Sequence, residues 1–244
     1  MKADPGAQQR LLELQEHDRR LGQLARLEAD LPERAARDAL VAERGTVRGD
    51  LAATSGVLED ARAELRRTED DVALVEARVA RDTERMMAST SAKDASALDH
   101  EIDSLRKRQH DLEEIELAVM ERVEEHETAV AAIEGRLVDL DAEVAAAEAL
   151  VAAALARIAE ERSQLGAARA ALAGELPADL VELYERQRAR YGVGASLLRR
   201  GVSEASGVAL LADELARVRA AAPDDVLICS SSEAILVRTP ESGL

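Results

Sequence analysis

The sequence predicts a mainly α protein in which a long antiparallel coiled-coil helical hairpin is followed by a small α+β C-terminal unit. Three observations predict it. From Leu98 to Leu172, positions taken alternately four and three residues apart are apolar except at Gln109, Glu116, His126 and Glu161, and a period of 3.5 held this long marks a coiled coil. A second, weaker seam of the same period lies upstream, across the short polar break Ala88 to Ala95. After Gly192 the pattern changes from helical to strand-like, which sets the C-terminal unit apart.

The elements follow in order. Met1 to Gly6 reads as a loose terminus, and a first helix begins near Ala7 with Leu14, Leu21, Leu24, Leu27 and Leu31 on one side. Pro32 has no backbone N–H to give, so a kink or a restart is expected there. Leu51, Leu58, Leu65, Val72, Val79 and Met86 recur every seven residues, with Val47, Thr54, Ala61, Thr68, Val75 and Asp82 as the complementary positions. Gly45, Gly49 and Gly56 each lower helix propensity by about 1 kcal/mol, so this arm is expected to be the more flexible. Ser91 or Asp94 is placed to cap the second arm. The arms run over about 7–87 and 94–172, and the short break makes them antiparallel neighbours. A parallel homodimer is the rival arrangement. The longer second arm calls on the segment before Pro32 to cover its far end, and at about 1.5 Å per residue it would be a rod of roughly 110 Å.

Pro177 suits the first turn of a new helix to Tyr191, closed by Gly192. A further helix covers Ala212 to Ala221. Val226 to Cys229 and Ile235 to Arg238 read as two short strands joined by Ser230 to Ala234. The domains expected are 1–175, the hairpin, and 176–244, the C-terminal unit.

Composition sets bounds on function. Phe and Trp are absent and there are two tyrosines, so a compact core built on aromatic burial is excluded. The net charge of -17 opposes non-specific nucleic-acid binding by the whole molecule and favours solubility or a basic partner. One cysteine, Cys229, allows no intrachain disulfide and gives no support to an oxidising compartment. No stretch resembles a signal peptide or is long and apolar enough to span a membrane. A soluble cytoplasmic protein is expected. Arg outnumbers Lys 29 to 3, a bias of a GC-rich genome.

Arg190-Tyr-Gly-Val-Gly-Ala195, Gly201, Glu204, Leu215-Ala-Arg-Val-Arg219, Ala222-Pro-Asp-Asp-Val226, Ile235-Leu-Val-Arg-Thr239 and Glu241-Ser-Gly-Leu244 together resemble the bacterial C4-type zinc-ribbon family. Leu98, His100-Glu-Ile102, Leu105, Arg108-Gln109 and Leu112-Glu113 look like that family's pattern after the hairpin tip. The resemblance implies a zinc-ribbon-like C-terminal unit, in which two C-x-x-C knuckles would hold one tetrahedral zinc. The matching positions here are Ser203, Ser206, Cys229 and Ser232. The spacing survives while three of four ligands are hydroxyls, so these are vestigial ligand positions. No metal and no cofactor is expected, with a metal shared between two chains through Cys229 as the remote alternative. A structural zinc supplies about 10–16 kcal/mol of apparent folding free energy, and packing of the apolar runs Val226 to Ile228 and Ile235 to Val237 must offset its loss.

Arg186, Arg188, Arg190, Arg199 and Arg200 fall within fifteen residues that hold no acid. One reading is a contact with a phosphate or an acidic partner. The other is favourable charge at a helix C-terminus, with salt bridges to the acidic coil. The four histidines lack metal spacing, the glycines form no phosphate-binding loop, and Ser230-Ser-Ser232 has no nucleophile-elbow context. The expected function is therefore a non-enzymatic adaptor or scaffold that presents a coiled-coil hairpin and a metal-free ribbon to macromolecular partners, foremost a protein. It would act as a monomer or weak homodimer, away from membranes. The alternative is a nucleic-acid-binding or regulatory protein that uses the arginine cluster beside the ribbon.

Overall fold

The computed structural model describes residues 1–244. Five helices dominate: α1 (Pro5–Ala29), α2 (Pro32–Ala88), α3 (Ala92–Glu175), α4 (Ala178–Tyr191) and α5 (Ala212–Ala220). Five short strands accompany them: β1 (Ala195–Arg199), β2 (Val202–Ser203), β3 (Val208–Ala209), β4 (Leu227–Ile228) and β5 (Ile235–Val237). The chain divides into two compact units, Glu33–Ala149 and Met1–Pro32 with Leu150–Leu244. This division by compactness differs from the division by element type, 1–175 and 176–244. No helix is long and apolar enough to cross a membrane.

In the unit 33–149, α2 and α3 pair as an antiparallel coiled coil. Arg44 bonds Asp141, Arg62 bonds Glu127 and Arg78 bonds Glu101. Residue numbers rise along one arm as they fall along the other, the antiparallel pairing of a helical hairpin. Leu58, Ala61 and Val123 form a buried cluster backed by Leu65 and Val130. Every position of the weaker seam from Val47 to Met86 is buried or half-buried. Asp82 is tolerated there because Arg78 and Arg85 reach its carboxylate. Thr68 returns its hydroxyl to the Glu64 carbonyl. The three glycines do not interrupt α2. The tip is tighter than expected: only residues 89–91 are non-helical, and the Ser91 hydroxyl accepts the Asp94 N–H at 3.4 Å.

In the other unit, α1 starts at Pro5 rather than Ala7, because the Asp4 carboxylate accepts the Ala7 N–H. Asp30 and Leu31 break the helix, and Pro32 opens α2, where its missing N–H costs nothing. Leu24 and Leu31 bury against Val151, Ala154 and Ile158 of α3, so the segment before Pro32 does cover this end of the second arm. Leu27 is 44% exposed, against the expectation. The buried line on α1 runs through Leu11, Leu14 and Leu24, and Leu27 falls outside it. On α3 the 98–172 register holds at every position but one. Ala168 is exposed and Arg169 takes the half-buried slot, because its guanidinium has buried acids to reach.

The strands form one sheet in the order β3-β2-β1-β5-β4. β1 lies parallel to β5, with Ala195 opposite Ile235 and Leu197 opposite Val237. The β4–β5 hairpin appears where it was expected, although shorter. β1, β2 and β3 were not anticipated. Ile235 and Val237 face Leu11, Leu14, Leu172, Leu180 and Tyr184, while Leu236 joins Leu198, Val218 and Cys229. This alternation is that of a strand covered on both faces. Met1 to Ala3 extend the sheet beside Asp224 to Val226. Arg238 fixes the loop before β4 by donating to the carbonyls of Ala221, Ala222, Pro223 and Asp225.

Candidate functional site

The four vestigial positions are brought together. β2 carries Ser203, the turn after it carries Ser206, and Cys229 and Ser232 flank the β4–β5 turn. Ser203 is fully buried and shares a hydrogen bond with Ser196 at 3.0 Å. The Cys229 thiol lies 3.2 Å from the Ser231 hydroxyl, which lies 3.1 Å from that of Ser206. Ser232 accepts the Ala234 N–H. Burial pushes the Cys229 thiol up, but hydrogen bonds from Ser231, Ser232 and Ser203 outweigh it and hold the thiol down to about 7.

The donor set does not fit zinc. Structural zinc sites take four thiolate or imidazole ligands, and here one thiol stands among hydroxyls already engaged with one another. No three His, Cys, Asp or Glu side chains come together elsewhere. Cys229 is 1% exposed. The four positions form a hydrogen-bonded serine–cysteine cluster between β2 and the β4–β5 turn.

The arginines contiguous in sequence separate in space. Arg186, Arg188 and Arg190 sit on α4, while Arg199 and Arg200 lie at the far end of β1, which spans roughly 13 Å. Most are engaged. Arg188 binds Glu185 at 2.7 Å and approaches Asp18 at 3.4 Å. Arg199 binds Glu241 and Glu204, Arg186 reaches Glu182 at 4.0 Å, and Arg190 lies over the Tyr191 ring. Arg200 holds a left-handed backbone, φ 48°, at the turn into β2.

A polar network on α1, α3 and α4 escaped the sequence reading. The Asp18 carboxylate takes both arms of the Arg169 fork, at 2.6 and 3.1 Å, and the Tyr184 hydroxyl at 2.7 Å. Arg169 also binds Glu185. Gln15 presents one oxygen to the N–H groups of Gly194 and Ala195, tying α1 to the start of β1. The sequence does hold one signal for this: Tyr184 is one of two aromatic residues in the chain. Its partners lie up to 169 positions away, beyond the reach of local periodicity.

Burial raises the carboxyls of Asp18 and Glu185, but bonds from Arg169 with Tyr184, and from Arg169 with Arg188, leave both below their ordinary values of 3.8 and 4.5. A carboxyl depressed on folding stabilises the fold above its unfolded pKa and loses that contribution as pH falls through the folded one. Stability should be level from neutrality to about pH 4.5 and then drop with acid. Asp18→Asn should flatten the drop while lowering the plateau. Chemical denaturation at stepped pH checks this, and an acid slope unchanged by the substitution would remove Asp18 as a cause.

The CT398-like coiled coil hairpin domain family matches residues 14–192 of the chain. An uncharacterised protein of Mycobacterium tuberculosis is 37% identical over 239 residues, 98% of either chain. A solved structure from Mycobacterium smegmatis is 37% identical, covers 98% of this chain and 100% of its own, and superposes with a TM-score of 0.85. CT398 of Chlamydia trachomatis is 18% identical, covers 95% of this chain and 97% of its own, and has a TM-score of 0.63, a likeness of fold.

Proposed function

This chain belongs to the CT398-like coiled coil hairpin family, and on that premise we propose that it is a non-enzymatic adaptor, its hairpin and its C-terminal sheet each offered to a macromolecular partner. The closed seam carries the reading. α2 and α3 bury their seam positions against each other, so the mostly charged outer faces are left for other molecules. Residues 33–149 hold 30 acids against 16 Lys and Arg, a net -14, whereas the rest of the chain is at net -3. A hairpin of that sign suits a basic protein surface and repels phosphate.

Full-length protein tagged in its native cell, purified and analysed by mass spectrometry, should recover a protein that dissociates as salt rises. Nuclease-sensitive recovery, or a steep salt slope for binding RNA or DNA to purified protein, would overturn this in favour of a nucleic-acid role.

The C-terminal unit reads as a ribbon that has exchanged its metal for hydrogen bonds and packing. Protein purified without added zinc should hold far less than one equivalent, and chelator should leave its melting temperature unmoved. Changing Ser203, Ser206 and Ser232 together to cysteine should create chelator-sensitive stability, since thiolate sites couple zinc to folding. Stoichiometric zinc in the natural sequence would sink the claim. A triple variant that binds none would mean that the loops have drifted as well as the ligands.

A further inference from the structure

A cleft of about 610 Å³ opens between α1 and the start of β1, within the usual range for ligand pockets. Its floor is Ala195 to Leu197, and its α1 wall includes Gln15, Gln23 and Arg26. The backbone accounting of β1 is incomplete there. The β5 side is satisfied: the Ile235 N–H donates to the Gly194 carbonyl, and the register continues to Val237. In a parallel ladder of that register, Ser196 and Leu198 face β5, and Ala195 and Leu197 face the opposite edge. On that edge β2 pairs with Leu198 and Arg199 only. The last bond is from the Glu204 N–H to the Leu197 carbonyl, after which the chain turns away through Ala205, whose N–H goes to the Ser196 hydroxyl. Gln15 takes the Ala195 N–H. The Ala195 carbonyl and the Leu197 N–H are left without a protein partner, one acceptor and one donor two residues apart along the cleft.

Charge narrows the occupant. The cleft's other ions answer one another: Arg19 binds Glu16, Arg188 binds Glu185 and Asp18, and Glu204 binds Arg199. Arg26 alone among the lining guanidiniums has no carboxylate partner. An open strand edge in a cleft whose α1 wall also carries an unpaired cation is the arrangement that an added strand bearing an acid would complete.

We propose that this cleft binds a short extended peptide segment that pairs by its backbone with Ala195 and Leu197 and places a carboxylate against Arg26. The inference rests on the adaptor reading and names one of its partner-facing sites. It does not depend on what the hairpin binds.

A phage-displayed library of random dodecapeptides panned on the full-length protein tests it. The enriched peptides should share an acidic position. Arg26→Glu, at an exposed site that leaves the fold intact, should weaken a synthetic, end-blocked consensus peptide by roughly tenfold or more, and exchanging the acid for lysine should recover affinity in that variant. Methylating alternate backbone nitrogens of the peptide should abolish binding, because an added strand binds through them. No enrichment, a consensus without an acid, or binding indifferent to Arg26→Glu or to backbone methylation would overturn the proposal. None of these outcomes touches recovery of a partner from the cell, which tests the adaptor reading separately.

Discussion

Replacing Gly194 with alanine should destabilise the protein by about 3 kcal/mol, the upper range for overpacking a filled core. A Cβ built there lies within 3.0 Å of three atoms of the Tyr184 ring. The ring has nowhere to go, because Tyr184 is fully buried and its hydroxyl is held by Asp18. Backing β1 away instead would break the bond from the Gly194 N–H to Gln15 at 2.7 Å. The expected readout is a melting temperature lower by roughly 5–10 °C. Gly174→Ala is the control. It sits near the end of α3 with open space around it, and alanine there should be neutral or stabilising by up to about 1 kcal/mol. Equal melting of the two variants would mean that Tyr184 is not seated against Gly194.

Arg169→Met should cost about 2–3 kcal/mol. Removing one partner of a buried pair typically costs 3–5 kcal/mol, and the lower figure reflects the 19% exposure of Arg169 and the bonds that Tyr184 and Arg188 still offer Asp18. The loss comes from a carboxylate stranded at 8% side-chain exposure. Adding Asp18→Asn should therefore recover more than half of it, and urea unfolding of both singles and the double gives the coupling directly. Additive losses would show that the fork contributes no net interaction.

The helical part of the fold was legible because its information is periodic and local. Twenty-one of the twenty-two positions from Leu98 to Leu172 are buried or half-buried as their spacing requires. The exception, Ala168, is where Arg169 enters the seam to meet Asp18, a contact no local pattern contains. Leu27 failed for a related reason: leucines on α1 were grouped by proximity in sequence, and the helix turns that one outward. The strands β1 to β3 were missed because Ala195 to Ala209 is punctuated by Gly201 and Gly207, and because β1 is defined by its neighbour β5, 40 residues on. The four positions Ser203, Ser206, Cys229 and Ser232 were singled out through the family resemblance, and they lie near one another around the β4–β5 turn. The arginines were grouped by chain proximity, and the structure divides them between α4 and the end of β1. The Asp18 network and the cleft were illegible, being assembled from residues near 18, 169, 185 and 195 that no window joins.

The composite origin of the unit that holds the sheet, residues 1–32 with 150–244, sets a timetable for synthesis. Leu11, Leu14 and Leu24 emerge before the hairpin, yet most of what they bury against is encoded at or beyond Val151. The 117 residues between take on the order of 10 s to translate. During that interval α1 is an apolar stripe without most of its native partners, while the hairpin of residues 33–149 already holds both of its own helical arms. The nascent chain thus makes this apolar stripe before the hairpin and covers it only once the sheet has followed.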